Sequence, residues 1–342
     1  MARPINNPPN PWSSTHVEWL EEPPAATLSI FEEEARSILS ENDSPDIPFR
    51  FSVNPYRGCL HACAYCYARP SHQYLGFGAG TDFDRKIVVK MNAPELLRKE
   101  MGRRSWAGET IVFSGNTDCY QPLEASYELT RRCLQVCLDH KNPVGIITKG
   151  ALVRRDVALL AELAKHARLH VNLSIAFASD ELARKVEPYA NRPSNRFEAM
   201  RRLADAGVST GIMVAPVIPG LNDADIPELL ARARDAGARC ASMTLLRLPA
   251  EVLPVFEERI AEHFPDRARK IRNGILEMKG GQMNKARFGE RFEGAGARWE
   301  AIRALFRLHC QKHGLRGEEM PSETEPPTTF QRPEKQRRLF EL

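Results

Sequence analysis

Three cysteines lie on one short stretch of the chain, SVNPYRGCLHACAYCYARP, which runs from Ser52 to Pro70. Cys59, Cys63 and Cys66 have the spacing C-x3-C-x2-C, close enough for their thiolates to converge on one soft metal centre. The informative number is three and not four: a cubane [4Fe–4S] cluster held by three thiolates leaves one iron open to a small molecule. Two other readings compete. A structural zinc site wants four ligands, usually in two separated pairs; His61 or His72 could supply a fourth, but one tight loop offers no second pair. A disulfide leaves an odd thiol and needs an oxidising compartment. The iron–sulfur reading fits the spacing best.

The elements that must position such a loop are legible in the pattern of apolar residues. From Phe51 to about Pro249 six short apolar runs read as strands: Phe51–Asn54, Thr110–Ser114, Val144–Thr148, His170–Ala176, Gly211–Ile218 and Ser242–Leu248. Helical patterns follow near Pro94–Met101, Ser126–Asp139, Arg154–Lys165, Asn195–Ala206, Asp225–Ala236 and Val252–His263, with Gly207 and Gly237 where C-caps fall. The alternation argues a parallel α/β fold. Spacing alone leaves a doubly wound sheet and a partial barrel both open.

Flanking segments differ in composition. Residues 1–50 read as an N-terminal arm, whose periodic piece, Ile30 to Leu39, has apolar residues at helical spacing and is expected to pack as a helix on residues 51–250. Residues 251–315 read as a helical, basic extension. Between Pro265 and Arg291 there are eight Lys or Arg against three acids, which suits a solvated face or a phosphate-tracking patch. Residues 316–342 are rich in Pro, Glu and Thr and read as a disordered tail.

Composition sets the class. The chain has 342 residues, 42% hydrophobic and 27% charged, with a net charge of +4, as in an ordinary soluble protein. Its start, MARPINNPPNPW, contains no apolar leader-like run, and no stretch approaches a membrane span. Eight irregularly spaced cysteines do not suggest a secreted disulfide scaffold, so a reduced, cytoplasmic protein is expected. Cys133 and Cys137 share a helix face, while Cys240 and Cys310 stand alone; the expectation is one cluster only.

The three-cysteine loop, with Tyr65 just before its third cysteine, resembles the radical S-adenosylmethionine (SAM) superfamily. NPYRGC-x3-C-x-YCYARP, TDCYQPLE, ITKG and EPYANRPSNRFEAMRRLADAG together resemble its spore-photoproduct-lyase-like, or DNA repair photolyase, branch over nearly the whole chain. The resemblance implies an open (βα)6 partial TIM barrel with an N-terminal arm and a C-terminal helical extension. It also implies a [4Fe–4S] cluster on Cys59, Cys63 and Cys66, whose open iron binds SAM. Cleavage of SAM then generates a 5′-deoxyadenosyl radical.

Ligands collect at the C-terminal ends of the strands of such barrels. Asn116, Thr117 and Asp118 take the place of a family Gly-Gly-Glu-like segment that binds the methionyl amine, and the departure from that pattern makes the assignment loose. Lys149 is expected at the SAM carboxylate and Ser174 at the ribose. Ala215 and its apolar neighbours are expected against adenine, with Tyr65 on the other side. Glu187 and Arg196 either stay fixed to each other or reach the ligand. Cys119 falls where the lyase carries a hydrogen-atom donor; its alternative is packing. Tyr120 either relays a radical or packs.

The implied partners are a flavodoxin- or ferredoxin-type electron donor and nucleic acid, whose target base would have to leave the stack. The alternatives are a radical SAM enzyme acting on a protein or small metabolite, and a non-catalytic metal-binding module. Gln336-Arg337-Arg338-Leu339-Phe340 resembles the peptide by which bacterial repair and replication proteins dock on the sliding clamp; folding back on its own domain is the other reading.

Overall fold

A computed structural model describes residues 8, 11–12, 27–317 and 327–333. Its strands are β1 (Ser29–Glu33), β2 (Leu39–Glu41), β3 (Phe51–Val53), β4 (Tyr56–Arg57), β5 (Lys86–Lys90), β6 (Ile111–Phe113), β7 (Val144–Thr148), β8 (Leu169–Ser174), β9 (Ser209–Val217) and β10 (Cys240–Leu245). Seven of them form one sheet in the order β10-β9-β8-β7-β6-β3-β2. The six from β3 to β10 are parallel and lie side by side in chain order, and β2 runs antiparallel at one edge. This is the expected six-unit α/β partial barrel. It does not close: β2 and β10 are its two edges. A small second sheet, β1-β5-β4, sits beside it.

Burial explains why these runs form strands. Val53, Phe113, Ile146 and Val171 are paired in register across four neighbouring strands, and all are fully buried. Helices Leu129–Asp139, Val157–His166, Pro193–Asp205 and Ile226–Asp235 cover this sheet with Leu134, Leu160, Leu163, Leu203, Leu229 and Leu230. The last two helices end as the sequence indicates, at Gly207 and Gly237, whose positive φ angles stop the helix. Cys133 and Cys137 are fully buried members of this core.

Two expectations fail. The arm is not helical at Ile30–Leu39. Ile30 and Phe31 lie in β1, paired in parallel with Ile87 and Val88 of β5, and both are exposed; Ile38, by contrast, is buried. A free sheet edge accepted β-favouring residues that happened also to fall at helical spacing. The tail is not wholly disordered either. Residues 327–333 lie on the barrel: Thr328 Oγ1 donates to the Gly108 carbonyl at 2.5 Å, the Gln331 N–H donates to the His140 carbonyl at 2.8 Å, and the Phe330 ring stacks on His140. One aromatic ring and a few main-chain bonds order this segment despite its polar composition. The Gln336–Phe340 peptide lies outside the described residues. Among the described residues no helix is long and apolar enough to cross a membrane.

Candidate active site

The cysteine loop follows β3 and β4 and is held from several sides. The Cys59 N–H donates to the Phe83 carbonyl at 3.0 Å, and the Ala64 N–H donates to the Val186 carbonyl at 3.0 Å. Gln121, from the loop after β6, clamps it twice: its Oε1 accepts from the Leu60 N–H at 3.0 Å, and its Nε2 donates to the Gly58 carbonyl at 3.1 Å. Arg69 is fully buried behind the loop. Its guanidinium donates to the carbonyls of Cys63, Ala79 and Gly80 and pairs with Asp84 at 3.0 Å. Burial raises the Asp84 carboxyl to about 6 even with Arg69 beside it.

The donor set fits a [4Fe–4S] cluster better than zinc. Cys59 and Cys63 are buried and Cys66 is half-buried. Burial pushes all three thiols up; Asp118 and the other two cysteines push Cys59 further, and Glu187 and Cys66 push Cys63 further. A cationic centre would hold all three as thiolates together, and their number, three with no fourth ligand at hand, is what favours the cluster over a structural zinc. Neither histidine is placed as a fourth ligand: His61 Nδ1 faces Asp118 Oδ2 at 3.4 Å, and His72 Nε2 lies 2.8 Å from the Lys86 carbonyl. Among the described residues no three Cys, His, Asp or Glu groups gather around a single ion.

The strand ends converge next to this loop. Asp118, after β6, is the junction. Its Oδ1 accepts from Thr148 Oγ1 at 2.6 Å and from the Tyr120 N–H at 2.9 Å; its Oδ2 accepts from the Lys149 N–H at 2.7 Å and faces His61. Burial alone would raise its carboxyl, but His61 and the hydrogen bonds outweigh that and hold it well below the usual carboxylate range. Asn54 Oδ1 accepts from the N–H groups of Asn116 and Thr117, at 2.9 and 3.2 Å, and Thr117 Oγ1 donates to the Tyr56 carbonyl. The Asn116 side-chain amide reaches Ser71 Oγ at 3.2 Å.

Lys149 Nζ, at the end of β7, donates to Ser174 Oγ at 2.9 Å and stands 5.6 Å from the centre of the Tyr65 ring. Ser174 Oγ in turn donates to the Ala215 carbonyl at 3.2 Å. Tyr65, Lys149, Ser174 and Ala215 therefore form one run of contacts beside the cysteine loop. Arg196 supports it from behind. Its guanidinium donates to Glu187, to the Ser174 carbonyl at 2.8 Å and to the Asn191 carbonyl at 2.6 Å, and Glu187 also accepts from the Tyr65 hydroxyl. Of the two alternatives for Glu187 and Arg196, the structure shows them fixed to each other. Cys119 lies in the core, its N–H on Ser114 Oγ and its carbonyl accepting from Thr130 Oγ1. The Tyr120 hydroxyl donates to buried Asp156 at 3.1 Å.

The model of the radical SAM superfamily matches residues 53–233, a span that includes the cysteine loop and the ends of β6 to β9. The chain belongs to the radical SAM superfamily. Its cofactors are accordingly a [4Fe–4S] cluster and SAM. An uncharacterised protein of Mycobacterium tuberculosis is 40% identical over 228 residues, which cover 66% of this chain and 67% of the relative. A radical SAM Nalpha-GlyT isomerase of Pseudomonas phage M6 is 25% identical over 67% of this chain and 46% of its own length. Among solved structures, spore photoproduct lyase complexed with dinucleoside spore photoproduct superposes with a TM-score of 0.60 at 16% identity, covering 85% of this chain and 82% of that one. That likeness shows the fold.

Sequence reasoning did not single out Asn54, Arg69, Asp84 or Gln121. Arg69 lies three residues after the third cysteine, in YARP, and Gln121 lies in TDCYQP, so both stand inside quoted motifs. Their partners do not show in sequence: Gln121 and Leu60 are 61 residues apart.

Proposed function

We propose that this radical SAM enzyme acts on nucleic acid, with Cys59, Cys63 and Cys66 as the ligands of its cluster. Bound together, cluster and SAM supply a 5′-deoxyadenosyl radical that abstracts hydrogen from the substrate. The chain's own residues bind and orient. Lys149 presents its ammonium to the SAM carboxylate and Ser174 its hydroxyl to the ribose, while Tyr65 and the apolar stretch at Ala215 flank the adenine. Asn116 and Thr117 offer polar groups to the methionyl amine. Asp118 and Arg196, each held by several hydrogen bonds within the protein, act as positioning residues: Asp118 ties the cysteine loop to the end of β7, and Arg196 holds Ser174 and, through Glu187, Tyr65. A flavodoxin- or ferredoxin-type protein is the proposed source of the electron.

The observation that carries the nucleic-acid reading is the basic segment 265–291, with eight cations against three acids. Its later part is attached to the end of β10, where the Leu245 N–H donates to the Phe292 carbonyl and the Leu248 N–H donates to Asn284 Oδ1. The later cations of the segment therefore lie near the C-terminal end of β10, and net positive charge there would draw in a polyanion. The likeness to a lyase crystallised with a dinucleoside supports the same reading.

The test is anaerobic. Reconstituted protein is reduced with dithionite, given SAM, and followed for 5′-deoxyadenosine with and without single-stranded and duplex DNA and RNA. The Cys59→Ala/Cys63→Ala/Cys66→Ala variant is the control. Formation in wild type alone, accelerated by nucleic acid, is the expected result. Acceleration by a protein or metabolite fraction and none by nucleic acid would replace the substrate class, and zinc in place of iron would overturn the whole reading.

A further inference from the structure

The open side of the barrel carries two cations without carboxylate partners. Arg247 lies two residues beyond β10, half-buried, with its Nε buried and bonded to nothing. No carboxylate among the described residues lies within ion-pair distance of it. Lys279 is fully buried behind it, and its Nζ donates only to the Arg291 carbonyl, at 2.9 Å. The other cations here are compensated: Arg291 donates through Nε to Asp46 Oδ2 at 2.8 Å, and Lys285 stands 3.4 Å from Glu290. Burial and then the charge of Arg291 lower the Arg247 guanidinium, and burial followed by Lys285 and Arg247 lowers Lys279 to about 8. Bringing such groups together half-desolvated is unfavourable, and a bound oxyanion removes the cost.

Aromatic rings border the same place. Tyr67 follows Cys66 directly, is 48% exposed, and lies in the electrostatic field of both Arg247 and Arg291. Phe288 is 56% exposed, with the Arg291 guanidinium 4.8 Å from its ring centre. Phe292, which that guanidinium also covers at 4.8 Å, stands 6.0 Å from the Arg247 guanidinium. Exposed rings close to a guanidinium cluster, one of whose members lacks a carboxylate partner, are what single-stranded nucleic acid uses: the charge takes the backbone and the rings take the bases.

We propose that Arg247 binds a phosphodiester group of the substrate, with Tyr67 and Phe288 as stacking faces for the bases next to it. This rests on the nucleic-acid reading above and assigns to it a specific contact. Lys279 contributes long-range charge from behind Arg291.

The experiment is anaerobic fluorescence anisotropy of the reconstituted holoenzyme with a labelled single-stranded oligonucleotide of about 12 nucleotides, across a series of KCl concentrations. For Arg247→Gln the expected result is about tenfold weaker binding at low salt, with the slope of log affinity against log salt flatter by about 0.7, one phosphate contact's share. Arg247→Lys keeps the slope and recovers part of the affinity. Phe288→Ala, at an exposed position whose loss leaves the core intact, weakens binding several-fold and leaves the slope unchanged. Wild-type affinity and slope in Arg247→Gln would overturn the subsite and leave the nucleic-acid reading standing. No binding of the oligonucleotide by wild type would overturn both. If wild type instead binds a free mononucleotide in an Arg247-dependent way, the anion comes from a small metabolite and the nucleic-acid assignment falls.

Discussion

Glu187 holds Tyr65 and Arg196 at the same time, accepting from the tyrosine hydroxyl on one oxygen and from the guanidinium on the other, although Tyr65 is 122 residues away. All three are buried. The carboxyl of Glu187 would rise on burial alone, but Arg196, Lys149 and these two hydrogen bonds keep it low, so it stays charged and the pair is internally neutral. The ring beside the third cysteine is thus fixed by an ion pair whose arginine also bonds the Ser174 carbonyl at the end of β8.

That arrangement separates two substitutions. Glu187→Gln leaves Arg196 buried without a countercharge and is expected to cost about 3–5 kcal/mol. Tyr65→Phe keeps the ion pair and loses one hydrogen bond to a charged group, about 1.5–3 kcal/mol. Chemical denaturation of the anaerobic protein checks the order. Equal losses would mean that the guanidinium is satisfied by the Ser174 and Asn191 carbonyls alone.

The entry to the cysteine loop depends on Gly58. Its φ is +78°, and a Cβ there would sit 2.8 Å from Ile87 Cδ1 and 2.9 Å from the Phe83 carbonyl oxygen, the acceptor for the Cys59 N–H. Gly58→Ala therefore combines backbone strain with displacement of the chain just before the first ligand. The expected outcome is a folded barrel by circular dichroism with iron content well below wild type after reconstitution. Full iron loading would show that the loop relaxes without losing its geometry.

Much of the fold was legible because it rests on local periodicity. Strands such as Val144–Thr148 are apolar on both faces, which is what a helix-covered parallel sheet requires, and the spacing of Cys59, Cys63 and Cys66 marks them as candidate cluster ligands. What was not legible depends on distance along the chain. Asn54 meets Asn116 and Thr117 only once β3 and β6 have paired, and the Arg291–Asp46 contact joins loops attached to the two edges of the sheet, 245 residues apart. The arm differs from its sequence reading for a related reason: Ile30 and Phe31 satisfy a helical template locally, and the edge of β5, which decides their structure, lies 57 residues later. The sequence leaves Arg196 open to two readings, fixed to Glu187 or reaching the ligand, because the partners that hold it, Glu187 and two carbonyls, meet it only in the fold.

Cys119 can be tested apart from the cluster. Its thiol is buried in the main core and burial holds it strongly protonated, as expected of a packing residue. On that footing Cys119→Ala loses about 1–2 kcal/mol of stability and retains formation of 5′-deoxyadenosine from SAM. A hydrogen-atom donor behaves differently: the variant would form 5′-deoxyadenosine while its substrate product changes or incorporates solvent hydrogen by another route. Mass spectrometry of the product in deuterated buffer distinguishes the two.

Lys279 gives a prediction whose sign follows from linkage. The folded protein lowers this ammonium to about 8, through burial first and then the charges of Lys285 and Arg247, whereas the unfolded chain titrates near 10.5. Below about 8 both states carry the proton and the full cost of burying the charge is present. Between about 8 and 10.5 the unfolded chain binds more protons than the folded one, so wild-type stability gains from this group as pH rises. Lys279→Met removes the charge and with it the hydrogen bond to the Arg291 carbonyl, worth about 1 kcal/mol. With the buried charge costing about 1–3 kcal/mol, the variant is expected to equal or exceed wild type at pH 7 and to lose that advantage by pH 10. Denaturant midpoints of the two proteins at both pH values provide the check. A difference that does not change with pH would mean that Lys279 titrates normally and that the positive charge at the open side of the barrel is already neutralised within the protein, which would also remove the electrostatic case for an anion at Arg247.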